Sequence, residues 1–173
     1  ENMPKEYNKV DATRFFESIT IKKTPEELEN LEKGAKFLDY SFKKLIDEVE
    51  EIIDADDSVK MIEISNKIKD SLETENIKGL EGLDLANLDY NLPICVQSGG
   101  EFKYDPVTES QDKVLTDDTI WLSMCCEYGE VCASAARTLK INPTKEEKED
   151  YMVLRKAFAG LFASIKKGKK ISE

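Results

Sequence analysis

Thr24-Pro25-Glu26-Glu27 opens a run in which Leu28, Leu31, Ala35, Leu38, Phe42, Leu45, Val49 and Ile52 follow at spacings alternating between three and four. That period is helical. It places one apolar stripe along a helix of roughly 28 residues, about 42 Å long at 1.5 Å per residue. Thr24 can cap the first turn, Pro25 suits the first helical position, and Glu27 completes a capping box. A stripe this regular also fits a coiled-coil seam. Phe37, Ile46 and Ile53 widen it beyond two positions per heptad, which favours packing on a sheet or on another helix.

Residues 8–23, ahead of this helix, read as an extended or mixed lead-in. Behind it, Met61, Ile64, Ile68 and Leu72 predict the inward face of a second, shorter helix, so that 24–74 forms a helical pair. The pattern dissolves from Glu73 to Asn91, around Gly79 and Gly82, into an irregular connection. Leu92 to Gln97 predicts a short strand ending at Ser98-Gly99-Gly100, with Pro93 confined to an edge or to the strand's start. Glu101 to Asp117 reads as a polar loop.

Thr119–Glu127 and Glu130–Ile141 predict a hairpin about a tight turn at Tyr128-Gly129. With Glu127 facing Glu130, the ladder pairs 126 with 131, 125 with 132 and 123 with 134. Trp121, Ser123, Cys125, Cys132, Ser134 and Ala136 then share one face, small and weakly polar, suited to a pocket wall. Ile120, Leu122, Met124, Val131, Ala133 and Ala135 form the opposite, core face. A second capping box, Thr144-Lys145-Glu146-Glu147, starts a last helix with Tyr151, Leu154, Phe158, Leu161 and Ile165 in register and Gly168 as its stop. Residues 92–173 thus supply a strand, a hairpin and a helix. The expected class is α+β, with long helices on a small, mostly antiparallel sheet.

The 173 residues suit one domain, and no apolar run approaches the ~20 residues that span a bilayer. The net charge of −11 repels phosphate backbones and disfavours direct DNA binding, while attracting basic partners. The plainer reading is that it serves solubility. Cys95, Cys125, Cys126 and Cys132 form no Cys-x-x-Cys pair and the chain has no histidine, so neither a structural zinc site nor a disulfide framework is supported. Reduced thiols are expected, including the facing pair Cys125 and Cys132. A start without methionine and a basic run from Lys166 to Lys170 suggest a piece of a longer polypeptide, one that would expose an apolar sheet edge or face and pair with itself.

Several motifs carry a family resemblance. They are Val96-Gln97-Ser98-Gly99-Gly100, Ser123-Met124-Cys125-Cys126-Glu127-Tyr128, Val131-Cys132-Ala133-Ser134-Ala135-Ala136-Arg137-Thr138 and Asn142-Pro143-Thr144. In order and spacing, residues 90–173 resemble the first half of the pita-bread fold of methionine aminopeptidases and prolidases. The match is nearest to its non-catalytic version in the large subunit of FACT-type histone chaperones. Val10-Asp11, Lys22 and the helix from Thr24 resemble the start of that domain less specifically. Three positions depart from the pattern: Cys125 replaces a glycine, Val131 a tyrosine and Ser134 an asparagine.

The resemblance implies function by what is missing. Active relatives hold two metals between two aspartates, a histidine and two glutamates, and the aspartate positions correspond to Ser123 and Ser134. A neutral hydroxyl offers a hard dication neither charge nor bridging geometry. No cofactor and no catalysis are therefore expected, and the alternatives are a metal-dependent aminopeptidase or another pita-bread pseudoenzyme acting as a protein-binding scaffold. The implied role is histone binding in the nucleus, in nucleosome reorganisation during transcription, replication and repair. The smaller FACT subunit would be reached through other regions. Candidate contacts are the turn Gln97, Ser98, Gly99 and Gly100, and the acidic cluster Asp47, Glu48, Glu50, Glu51, Asp54, Asp56 and Asp57. For each there is a structural alternative: Ser123 and Ser134 fill a tight face, the glycines serve the backbone, and the acids wet a helix.

Overall fold

The computed structural model describes residues 10–74, 80, 82–89, 94–105 and 107–170. The long helix α2 runs from Pro25 to Asp54, after a short helix α1 at Thr13–Thr20. Thr24 Oγ accepts from the Glu27 amide at 3.2 Å, and the Glu27 carboxylate accepts from the Thr24 amide, so the capping box is complete. Helix α3 spans Met61–Thr74. Strands β1 (Leu88–Asp89), β2 (Cys95–Gln97), β3 (Thr119–Tyr128) and β4 (Val131–Lys140) precede helix α4 (Lys145–Ser164). All strand pairs are antiparallel. β3 is central, with β1 and β2 along one side and β4 along the other.

One face of this sheet is covered by α2 and α3. Phe37, Leu38, Phe42, Leu45, Val49 and Ile52 of α2 meet Ile120, Leu122, Met124 and Cys126 of β3, with Met61, Ile64, Ile68 and Leu72 of α3 closing the core. The width of the α2 stripe thus reflects a sheet and a helix, not a coiled-coil seam. Gly34 sets the closest approach. A Cβ there would lie 3.2 Å from the Ala133 Cβ, and the Cys126 thiol donates to the Gly34 carbonyl at 3.5 Å. Nothing but hydrogen at Gly34 lets the helix sit this low on the hairpin.

Three local expectations change. The lead-in contains the helix α1: Asp11 accepts from the Thr13 amide and hydroxyl at 2.9 and 2.6 Å, which starts a turn whose Phe15, Phe16 and Ile19 stay exposed. The connection after α3 includes a 3-10 turn at Leu85–Asn87 leading into β1. The hairpin turn is Gly129-Glu130, not Tyr128-Gly129. Both turn residues are left-handed, φ +55° and +67°, as a two-residue primed turn demands. Tyr128 instead ends β3, buried, its hydroxyl accepting from the Asp84 amide at 3.0 Å. A primed turn at either place puts one non-glycine residue at positive φ, Tyr128 or, as observed, Glu130, so local strain does not choose between them. A Cβ at Gly129 would collide with the Asn30 side-chain amide, which donates to the Gly129 carbonyl. Pro93, Leu92 and Gly79 lie outside the described residues.

Candidate functional site

The open face of the sheet carries a cavity of about 310 Å³. The turn position sets its floor. Moving the turn by one residue shifts the ladder by two, so Ser123 faces Ala136 and Ser134 faces Cys125. The expected direct pairing of Ser123 with Ser134, and of Cys125 with Cys132, is therefore corrected: each pair is diagonal. An even shift preserves the faces. Ser123, Cys125, Ser134 and Ala136 still line one cavity together, with Trp121 and Tyr104 as walls. Tyr104 meets Trp121 edge to face, centroids 5.3 Å apart at 86°, and stacks on Phe102 at 6.1 Å.

Burial raises the Cys125 thiol of the floor, assisted by Cys132 and Glu127, and on the opposite, core face burial pushes the Cys126 thiol up to about 12. Burial raises Cys95 too. All four cysteines are free.

The Gln97–Gly100 turn divides in two. Gln97 and Ser98 are buried. The Gln97 amide donates to the Lys103 carbonyl at 2.9 Å and accepts from the Lys103 amide at 2.7 Å. Ser98 accepts from the Thr116 amide at 3.0 Å. These two side chains hold Lys103 and Thr116 against the strand, which carries Tyr104 to the cavity with Phe102 stacked beside it. Gly99 and Gly100, at φ +83° and +84°, remain exposed.

The acidic cluster lies elsewhere, along the last turns of α2 and just beyond. Glu48 is half-buried and paired with Lys67 at 2.6 Å. Asp47, Glu50, Glu51, Asp54, Asp56 and Asp57 are exposed, and Asp56 turns the chain at φ +54°. Glu50 also borders a groove between the end of β4 and the first turns of α4.

Residues 29–173 match metallopeptidase family M24. The chain belongs to that family. It is 28% identical to FACT complex subunit SPT16 of Zea mays over 94% of its length, and 28% identical to that of Dictyostelium discoideum over 91%. It spans only 16% and 15% of those relatives. The solved N-terminal domain of SPT16 from Cicer arietinum superposes with a TM-score of 0.76 at 26% identity, covering 87% of this chain and 36% of that one. The Eremothecium gossypii domain gives 0.75 at 21% identity, covering 85% and 36%. The architecture is thus the M24 pita-bread type, α+β, and the chain is homologous to the SPT16 N-terminal domain.

M24 peptidase chemistry requires metal, and the cavity does not suit one. Its lining offers the hydroxyls of Ser123, Ser134 and Tyr104 and a thiol whose proton burial holds more tightly, with no carboxylate. Among the described residues no three histidine, cysteine or acidic side chains gather to share an ion. Hard dications need charged oxygens, and this cavity's lining supplies none. Sequence reasoning missed the aromatic wall because Phe102 and Tyr104 sit in a loop without periodicity. Their i, i+2 spacing just after a strand end was the available signal.

Proposed function

We propose that the chain is a non-catalytic binding module of a FACT-type histone chaperone, taking core histones in the nucleus during nucleosome reorganisation. The observation that carries this is the neutral cleft: an M24 fold whose Ser123 and Ser134 line the cavity where a peptidase needs acids. A hydroxyl pair leaves no means to activate water or polarise a scissile carbonyl. Homology to SPT16 supports the chaperone context.

Charge supports the partner. The net charge of −11 and the exposed acids Glu50, Glu51, Asp54, Asp56 and Asp57 favour lysine- and arginine-rich segments over nucleic acid. Gly99 and Gly100 are exposed, so their backbone is accessible to a peptide. On this reading the smaller FACT subunit would be met outside these residues.

Titration of core histones onto the chain at moderate and higher salt tests this reading. Salt-sensitive saturable binding is expected, and absence of binding at both salts refutes the role. Metal analysis after purification, with an aminopeptide turnover assay, tests the lack of catalysis; stoichiometric metal with turnover overturns it.

A further inference from the structure

We infer that the aromatic corner of the cleft receives a methylated ammonium, the trimethyl-lysine side chain of a basic peptide. Tyr104 and Trp121 stand at 86° with centroids 5.3 Å apart, forming two walls at a right angle. The rest of the lining is Ser123, Cys125, Ser134, Ala135 and Ala136, all short, together with Met124, whose side chain is buried, so the space above the strands is open. The cavity, about 310 Å³, lies at the lower end of the range for small-ligand sites.

The chemistry of the lining selects the ligand. Ring faces attract a cation, and quaternary ammonium is the kind that aromatic corners hold best. No carboxylate lines the cavity, so a primary ammonium would surrender strong hydration for a few neutral hydroxyls. Methylation removes the donors that would go unpaired and keeps the charge. The protein's overall charge of −11 brings such a cationic segment to the surface, while the local neutrality of the cleft makes the choice among cations. Backbone placement supports the corner: the Gln97 bonds to Lys103 fix the loop that presents Tyr104. The inference rests on the histone-binding reading only for the source of the peptide.

Trp121 is the single tryptophan of the chain, so its fluorescence reports this cavity alone. Short basic peptides, identical except for one residue, are titrated while that signal is read: trimethyl-lysine, lysine, or the uncharged tert-butyl analogue. A saturable response is expected, about tenfold tighter for trimethyl-lysine than for either other peptide. Tyr104 is 70% exposed, so Tyr104→Ala should keep the fold and lose the preference, while Tyr104→Phe should keep both. A silent Trp121, or equal affinity for the tert-butyl analogue, overturns the inference. Histone binding with a silent Trp121 sinks this inference and leaves the proposed function standing. A Trp121 response to trimethyl-lysine peptide without histone binding does the reverse.

Discussion

Helices α2 and α4 are written in the same grammar and meet opposite fates. Each starts with a threonine that accepts from the backbone amide three residues on, and with a glutamate that reaches back. Each carries apolar residues at spacings of three and four. Yet α2 buries Phe37, Leu38, Phe42, Leu45, Val49 and Ile52, whereas α4 buries nothing: Leu154 is 70% exposed and Phe158 63%. Capping and periodicity decide that a helix forms and which side is apolar. They do not decide whether a complementary surface exists. For α2 the sheet and α3 supply one. For α4 only its first turns are tied down, by Lys140 bridging to Glu147 at 2.7 Å and to Asp118 at 3.6 Å.

The sharpest way to break this contrast is a matched pair of truncations. Leu45→Ala should cost about 2–5 kcal/mol in chemical denaturation, since Leu45 is fully buried. Leu154→Ala should fall within about 0.5 kcal/mol. Equal costs would mean that α4 is covered in solution.

Glycines give the next comparison. Gly34→Val should destabilise by about 1–3 kcal/mol, because its branches meet Ala133 and Cys126. Gly160 has open space around it, so Gly160→Val should leave the global unfolding midpoint unchanged. Smaller still are the caps. Thr24→Ala should lower global stability by about 1 kcal/mol, whereas Thr144→Ala should fray α4 locally, visible as lost amide protection with no shift of the global midpoint.

The smallest effect is a titration. Lys140, and then the bonds from Thr144, hold the Glu147 carboxyl down at about 2, against an ordinary value of 4.5. A depressed acid contributes while it is charged, so the α4 start should be intact above pH 4.5 and loosen as pH falls through 2. Glu27 is also lowered, by its bonds from Thr24. Carbon chemical shifts of the two carboxyls should show both midpoints below the ordinary value, with Thr144 amide protection following Glu147. A Glu147 midpoint near 4.5 would dissolve the anchor assigned to α4.

Much of this was readable in the residues, and the exceptions are instructive. The stripe of α2, its cap, the inward face of α3 and the two faces of the hairpin depend on local period and short-range bonding, which are properties of the chain itself. The turn is not legible to the residue, because Tyr128-Gly129 and Gly129-Glu130 are both acceptable locally. Only the burial of Tyr128 against Asp84, and the contact of Asn30 with Gly129, decide between them. At the candidate site, the small face containing Ser123 and Ser134 was legible, since alternation survives a shift of two. The aromatic corner was not, because it joins a loop residue to a strand residue through the Gln97–Lys103 bonds.

The sequence by itself determined the helices α2, α3 and α4, the two long strands of the hairpin and which side of each is apolar, though not the helix α1 of the lead-in. Tertiary structure alone decided the rung on which each serine sits, the burial of Gln97 and Ser98, and the bare flank of α4. The physical reason is range. Capping, period and charge act over a few residues, whereas register and coverage depend on surfaces contributed by distant parts of the chain.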